Sequence, residues 1–299
     1  MLNYDSVKQD AVALQAMTSL SVDEFEYLLL YFRETLIACL GGVWEEDSPK
    51  GPGAPPILGS AANCLLFILF YFKLYPLQTI LGFLFGLSQS RASELIHDLS
   101  GVLRLTLEKI ECCPERNPEK LPEFIDGEEQ DLSIDGTERR IQRPVENEKR
   151  KQNYSGKKKT HTRKNLLIVG NNDRQIKYLG GTREGKTHDK KMADDESVRF
   201  PEGVGLYEDK AFEGYEPKGV KIYRPKKKPK DGELTEEEIK ENSLLSGIRI
   251  VVEHIIGSVK RLHIVTEVFR NTKEGFNDLV MEIACGLHNF RSRCRLQSY

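Results

Sequence analysis

Three acidic residues have positions that suit metal-ion chemistry. Asp135 closes a predicted strand and is followed by Gly136 and Thr137, while Asp209 directly follows a second apolar stretch. Glu253 lies inside a predicted helix. Carboxylates at strand ends and on a helix flank can converge above a sheet, and hard divalent cations such as Mg²⁺ prefer these oxygen ligands. Because a single Asp is usually a surface residue, the positions alone permit a metal site without requiring one.

The predicted helix adds two cations to this picture. Arg249, Glu253 and Lys260 are separated by 4 and 7 residues. At 3.6 residues per turn, the three fall within about 40° of one another on one helix face. A cation–acid–cation row suits a metal ligand flanked by phosphate-binding groups, although an exposed ion pair accounts for the same spacing. The apolar residues of the helix form an adjacent stripe: Leu245, Ile248, Val252, Ile255, Val259 and Leu262.

The elements that must position these residues form a mixed α+β pattern. Residues 1–110 are predicted to be helical, residues 111–124 form a charged linker, and residues 125–299 form a second domain. Alternating or continuous apolar runs in the second domain predict strands. These strands cover residues 130–136, 166–171, 175–179, 203–207 and 219–224. Helices over 233–262 and 277–293 are predicted to follow.

The N-terminal domain contains a helix-turn-helix pattern. A Pro- and Gly-rich break at 49–56 precedes an apolar helix over 61–72, a helix to Phe85, a turn at 86–88 and a helix over 89–103. Upstream, Ser21 and Glu24 have capping-box spacing. Gln89 and Arg91 would lie in the first turn of the last helix, where base contacts usually arise. Plain helical packing explains the pattern as well, because any pair of antiparallel helices looks similar.

The charge is distributed unevenly although the chain has a net charge of only −2. Residues 1–123 carry 9 Lys and Arg against 16 Asp and Glu, whereas residues 139–191 carry 17 against 5. A basic block of this size indicates a polyanionic partner, with a solvated surface as the alternative. No signal peptide or membrane span is predicted, and six cysteines without CxxC spacing predict free thiols in the cytoplasm.

Six segments resemble, in chain order, those of insertion-sequence DDE transposases. The helix pattern Arg249-x3-Glu253-x6-Lys260 is similar to the family pattern Y-x2-R-x3-E-x6-K, with Ser246 at the Tyr position. The other segments are the first-acid strand at 134–138, a Y-S-G-K-K-x-x-H-T segment at 154–162, G-x-x-H-D at 185–189, the second-acid motif at 207–215 and L-H-N-F at 287–290. The likeness covers about residues 125–295 and points to the branch that includes Harbinger-type transposases.

This resemblance implies a fold, a reaction and partners. The catalytic domain is expected to be RNase H-like, with Asp135, Asp209 and Glu253 holding two Mg²⁺ or Mn²⁺ ions and acting as the catalytic acids. We expect Asp189 to lie farther away, because it falls in a polar stretch between Lys186 and Lys191. DNA contacts are expected from Arg249, Lys260, Lys157, Lys158, Lys159 and His188, together with Gln89 and Arg91.

The implied partner is double-stranded DNA, both the terminal inverted repeats and the target, bound by a homo-oligomer without a membrane. A cytoplasmic enzyme associated with the nucleoid is expected. Three alternatives remain: a domesticated nuclease that cuts without joining, a non-catalytic DNA-binding protein derived from a transposase, and a helix-turn-helix regulator with an unrelated second domain.

Overall fold

The structure, a computed structural model, describes residues 1–40, 58–125, 131–228 and 232–297. The chain divides into two compact units. The helical unit comprises Met1–Cys113, Lys260–Glu267 and Leu279–Tyr299, and the sheet unit comprises Pro114–Val259 and Val268–Asp278. A single boundary at a linker was predicted, whereas two C-terminal segments group here with the N-terminal helices.

The described residues form helices and strands in mixed order. The helices are α1 (Tyr4–Val7), α2 (Ala11–Thr18), α3 (Val22–Leu40), α4 (Ala61–Leu74), α5 (Gln78–Phe85), α6 (Gln89–Lys109), α7 (Asn147–Asn153), α8 (Asp189–Glu196), α9 (Glu236–Val259), α10 (His263–Thr266) and α11 (Phe276–Gln297). The strands are β1 (Asp131–Arg140), β2 (Tyr154–Ser155), β3 (Thr160–Gly170), β4 (Ile176–Leu179), β5 (Arg183–Glu184), β6 (Gly205–Glu208) and β7 (Lys221–Tyr223).

Local capping interactions start the helices of the helical unit. The predicted capping box is present at α3, where the Glu24 amide donates to Ser21 Oγ at 3.1 Å and the Ser21 amide donates to Glu24 Oε2 at 2.8 Å. The Ser60 and Ser88 hydroxyls cap α4 and α6 by accepting from the amides of Asn63 and Arg91, without a reciprocal side-chain bond. The predicted Pro- and Gly-rich break at 49–56 lies outside the described residues. None of the described helices is both long enough and apolar enough to cross a membrane.

A tight turn joins α5 to α6. Gly86 ends α5 with a φ of 71°, a left-handed conformation that glycine adopts without strain. At Gly82, an added Cβ would lie 2.6 Å from the Leu87 carbonyl oxygen, so only glycine allows the chain to fold back this closely. The helix α6 extends to Lys109, beyond the predicted end at residue 103. The helix-turn-helix geometry therefore depends on two glycines.

The sheet unit is built around β1. Its strand order is β2-β3-β1-β6-β7, with β4 and β5 also paired to β3. The strand β1 pairs antiparallel with β3 from Leu132 to Arg140 but pairs parallel with β6 only as far as Ile134. Asp135 therefore lies in the middle of β1, and the predicted strand end at residue 136 is wrong, because the antiparallel ladder continues after the parallel one stops. Gln130, where that strand was predicted to begin, lies outside the described residues.

One face of the sheet carries the core of this unit. The segment after Pro114 contributes to it, because the Glu115 amide donates to the Lys177 carbonyl at 2.9 Å and Leu121 is fully buried. The second half of the predicted linker thus belongs to the sheet unit. The core residues are Leu121, Leu132, Ile134, Leu166, Ile168, Tyr178, Ala193, Val198, Phe200, Val204, Leu206, Phe212 and Tyr215.

Candidate active site

The register of β1 and β6 places two of the predicted acids side by side. Ile134 is level with Glu208 across the parallel pair, so the next positions along the two strands are Asp135 and Asp209. Neighbouring strands lie about 4.8 Å apart. Both acidic residues are half-buried. The two carboxylates thus reach the same edge of the sheet from neighbouring elements.

The environment of Asp135 disfavours a negative charge on its carboxyl group. Burial, together with the neighbouring carboxylates of Asp189 and Asp209, raises the pKa of Asp135 to about 6. The amide of Gly136, which donates to Asp135 Oδ1 at 2.7 Å, and the guanidinium of Arg249 act in the opposite direction. A buried carboxylate with acidic neighbours is stabilised by positive charge, so this position suits a cation.

The third predicted acid is carried by α9, which packs against β1 and β6. Arg249 on this helix forms a 3.2 Å ion pair with Asp209 Oδ2. Glu253 is exposed, one turn farther along the helix. The helix ends at Val259, so the predicted row on one helix face holds Arg249 and Glu253 but not Lys260, which follows the last turn.

The Tyr position of the family pattern has a different role here. Ser246 is exposed, and its hydroxyl donates to the Asn242 carbonyl at 2.7 Å within α9. The short Ser246 side chain forms a hydrogen bond within its own helix and does not extend as far from α9 as a Tyr side chain would.

Asp189 does not lie where it was expected. It is the first residue of α8, and a Cβ added at Gly136 would lie 2.9 Å from Asp189 Oδ1. The same oxygen forms a 3.1 Å ion pair with Lys164. The prediction that Asp189 lies farther from Asp135 is therefore wrong, because α8 begins against the backbone of β1. His188 precedes the helix, exposed and without a capping hydrogen bond from its side chain.

The predicted DNA-binding lysines are exposed and can contact a binding partner. Lys157, Lys158 and Lys159 are exposed in the turn between β2 and β3. The surrounding basic stretch is not uniformly available, however. Arg139 is only 2% exposed and donates to the Asn277 carbonyl at 2.7 Å, so it serves the fold of the sheet unit.

The helix-turn-helix residues lie at the start of α6. Gln89 is exposed and donates to Gln78 Oε1 at 2.6 Å, which links the two helices of the motif. Arg91 forms an exposed 2.6 Å ion pair with Glu94. Both long side chains are held only by exposed partners, which DNA could replace at little cost.

The donor set fits a hard divalent cation. Carboxylate oxygens are the ligands that Mg²⁺ prefers, and Asp135 on β1 and Asp209 directly after β6 can supply them. Within the described residues, no three His, Cys, Asp or Glu side chains are arranged to hold an ion as they stand. The Asp209 carboxylate is engaged by Arg249 and by the amide of Lys210. The assignment of Asp135, Asp209 and Glu253 as ligands stays a prediction.

Comparison with known proteins places this arrangement in a family. Residues 134–289 match the family model described as "DDE superfamily endonuclease". The chain belongs to this family. Residues 58–109 match the model of the helix-turn-helix of DDE superfamily endonuclease, which covers α4, α5 and α6.

A curated relative agrees with both matches. The chain is 28% identical over 250 residues to the probable transposase for insertion sequence element IS702 of Microchaete diplosiphon, covering 82% of this chain and 86% of that protein. No solved structure gives a significant match. The predictions of a DDE transposase, an endonuclease, an α+β fold and an N-terminal helix-turn-helix are confirmed. The family implies divalent metal dependence and DNA binding, and nothing in these matches favours a domesticated protein.

Three residues of the site were missed by sequence reasoning. Lys164 is nearly buried beside Asp189, and Arg224 forms a 2.9 Å ion pair with Glu208, whose side chain is fully buried next to Asp209. Glu208 was visible only as one of several charged residues after an apolar strand. Lys164 gave no distinct signal, because it lies between Arg163 and Asn165 in the polar half of β3.

Proposed function

We propose that this DDE transposase cuts phosphodiester bonds at the ends of its own mobile element, with Asp135, Asp209 and Glu253 as the ligands of two Mg²⁺ or Mn²⁺ ions. One observation carries the proposal. Asp135 and Asp209 directly follow the last level pair of β1 and β6, Ile134 and Glu208, and α9, which bears Glu253, packs against both strands. This arrangement supports a site to which all three carboxylates contribute.

The reaction would proceed in two displacements. Such a pair of ions activates the attacking oxygen and stabilises the leaving oxygen of a phosphodiester. Water first attacks the bond at the element end and frees a 3′-OH, which then attacks the target DNA, so no covalent protein intermediate is needed. Asp135, Asp209 and Glu253 fix the position of the reacting centre, while Arg249 and Lys260 bind flanking phosphates.

DNA would be held by two separate surfaces. The helix-turn-helix, through Gln89 and Arg91 at the start of α6, binds the terminal inverted repeats. Residues 157–159 bind the backbone of repeat and target DNA regardless of sequence, since phosphate contacts carry no sequence information. His188 contacts DNA beside the acids.

Each predicted domain has its own function in this proposal. Residues 1–110 bind DNA, residues 111–124 connect, and residues 125–299 carry the chemistry. The active form is a homo-oligomer on DNA, because two element ends must be processed together. The enzyme works in the cytoplasm at the nucleoid.

The test uses the DNA that flanks the gene. Duplexes carrying any inverted repeats found there are incubated with the full chain, Mg²⁺ and a target plasmid. We expect a cleaved end with a 3′-OH, joined products and a short target duplication. Cleavage without joining would support a domesticated nuclease, whereas binding without cleavage would support a non-catalytic DNA-binding protein. Either result contradicts the proposal.

A further inference from the structure

Lys164 is an almost buried cation next to the proposed catalytic acids. Its side chain is 11% exposed, and its Nζ lies 3.1 Å from Glu138 Oε1, 3.1 Å from Asp189 Oδ1 and 3.0 Å from the Thr187 carbonyl oxygen. An ammonium group has three donors, and three acceptors surround this one. All three donors of the Lys164 ammonium group are used inside the protein, so Lys164 is not available to bind DNA.

Asp189 is a fourth carboxylate beside the three proposed ligands. Its oxygen lies close to the backbone of Gly136, the residue that follows Asp135. By position alone, Asp189 could compete with Asp209 for a metal ion.

The cations paired with these two carboxylates differ in how firmly they are held. Arg249, which pairs with Asp209, has a side chain 32% exposed to solvent. Lys164 comes from β3, where the strand register places it directly opposite Glu138 on β1, so that two carboxylates fix it. The Arg249 pair can be exchanged for an incoming ion at little cost, whereas breaking the Lys164 pairs would leave buried charges uncompensated.

We propose that Lys164 keeps Asp189 out of the metal site and, by pairing with both Asp189 and Glu138, fixes the start of α8 against β1 beside Asp135. Lys164 and Asp189 are then positioning residues, which act on the reaction through Asp135. This inference rests on the proposed function, since it presumes that Asp135 and Asp209 bind the ions.

Removing Lys164 has a consequence that a purely structural role would not produce. In Lys164→Met, Asp189 and Glu138 lose their counter-charge close to Asp135, and the extra negative charge attracts cations. Metal binding is therefore expected to become tighter while cleavage becomes slower, because the ion pairs that fix the start of α8 against β1 are lost.

The experiment titrates the full chain with Mn²⁺ alone, without DNA, by isothermal calorimetry, and measures end cleavage in parallel. Asp189→Asn is expected to weaken Mn²⁺ binding far less than Asp209→Asn does, because it removes a nearby charge but no ligand. Cleavage should fall about tenfold or more, the range typical of residues that orient metal ligands. Lys164→Met is expected to bind Mn²⁺ more tightly or to bind an additional ion. The double variant Lys164→Met/Asp189→Asn is expected to return towards wild-type affinity. Lys191→Met, which removes an exposed cation of α8, is the matched control and should change neither quantity.

Two results would overturn the inference. If Asp189→Asn weakens Mn²⁺ binding as much as Asp209→Asn does, Asp189 is itself a ligand. If Lys164→Met folds, as judged by circular dichroism, and binds Mn²⁺ no more tightly than wild type, Lys164 does not keep Asp189 out of the metal site. Should Lys164→Met fail to fold, Asp189→Asn decides alone. Asp209→Asn also tests the proposed function: unchanged Mn²⁺ affinity and cleavage in that variant would refute the proposed site, whereas a loss there combined with a loss in Asp189→Asn refutes only the present inference.

Discussion

The N-terminal helices and the sheet unit differ in which buried polar groups they contain and in where the partners of those groups lie along the chain. In the described part of residues 1–110, the buried polar side chains are hydroxyls that bond within their own helix. Each donates to the carbonyl one turn earlier, at distances of 2.5–2.9 Å: Thr18, Thr35, Ser100 and Thr106. Long-range polar contacts of this region, such as those of the Tyr4 amide with Asn63 Oδ1 and of Arg104 with Glu282, involve groups that are only partly buried.

The sheet unit instead buries charges whose partners are distant in sequence. Arg139 donates to Asn165 Oδ1 at 2.5 Å, Glu208 pairs with Arg224, and Lys164 joins β1 to α8. Such pairs contribute little net stability, but removing one member leaves a buried charge. The comparison teaches that the DNA-binding helices tolerate polar changes outside their turn, while the catalytic unit depends on a few ionic contacts.

The largest effect is expected for the proposed ligands. Asp135→Asn, Asp209→Asn and Glu253→Gln should each reduce end cleavage by roughly four orders of magnitude, as removal of one member of a catalytic group does in other enzymes. DNA affinity should stay unchanged, because the helix-turn-helix is untouched. Cleavage is measured on labelled ends and affinity by gel shift.

The control for this series is Asp195→Asn, an acid of α8 that only pairs with Lys191 on the surface. It should cleave normally. A normal rate in any of the three main variants would remove that residue from the site, and a parallel loss of DNA binding would show that the two regions are not separable.

The next effect concerns the buried ion pair beside Asp209. Arg224→Met leaves the fully buried Glu208 carboxylate without its cation and should lower the free energy of unfolding by about 3–5 kcal/mol. Lys191→Met, which removes an exposed pair, should cost no more than about 1 kcal/mol. Urea unfolding of the full chain measures both. Equal losses would mean that the buried pair is not critical in the sheet unit.

A smaller effect is expected in the helix-turn-helix. Gly82→Ala places a Cβ 2.6 Å from the Leu87 carbonyl oxygen and should cost about 1–3 kcal/mol, with weaker binding to the terminal repeat. Gly101→Ala in α6 meets open space and should stabilise by about 0.5–1 kcal/mol. Thermal unfolding compares the two variants. If both behave alike, the close turn does not constrain the motif.

The smallest effect is expected for the exposed lysines. Replacing Lys157, Lys158 and Lys159 with Gln should reduce the salt dependence of DNA binding by about 0.9 in slope for each lost phosphate contact. The loss should be equal for a terminal-repeat duplex and a scrambled duplex. An unchanged slope would place this turn away from DNA, and a loss confined to the repeat would make the catalytic unit a reader of sequence.

The sequence was informative where structure depends on nearby residues. The capping box at Ser21, the turn at Gly86 and the alternation of strands follow from patterns within a few positions. The place of Asp189 could not be deduced, because it depends on which backbone α8 meets, and the polarity of its neighbours suggested an exposed loop instead. The partners of Lys164 were equally hidden, since the register between β1 and β3 must be known before Glu138 can be identified.

The assignment of segments to units shows the same limit. Residues 279–299 were assigned to the second domain because they follow it along the chain, yet they group with the helical unit. Amphipathic periodicity reveals that α11 has an apolar face but not which partner covers it.

The mixed pairing of β1 bears on when the enzyme first becomes able to cut DNA. During synthesis, β1 and β3 emerge close together and can form their antiparallel ladder early, since local contacts close quickly. The parallel pairing with β6 requires a longer intervening segment, and α9 emerges later still. A nascent chain on the ribosome would therefore hold part of the sheet before Asp209 arrives, and its set of acids would stay incomplete until α9 has emerged. The helical unit would be completed last, since residues 260–267 and 279–299 belong to it.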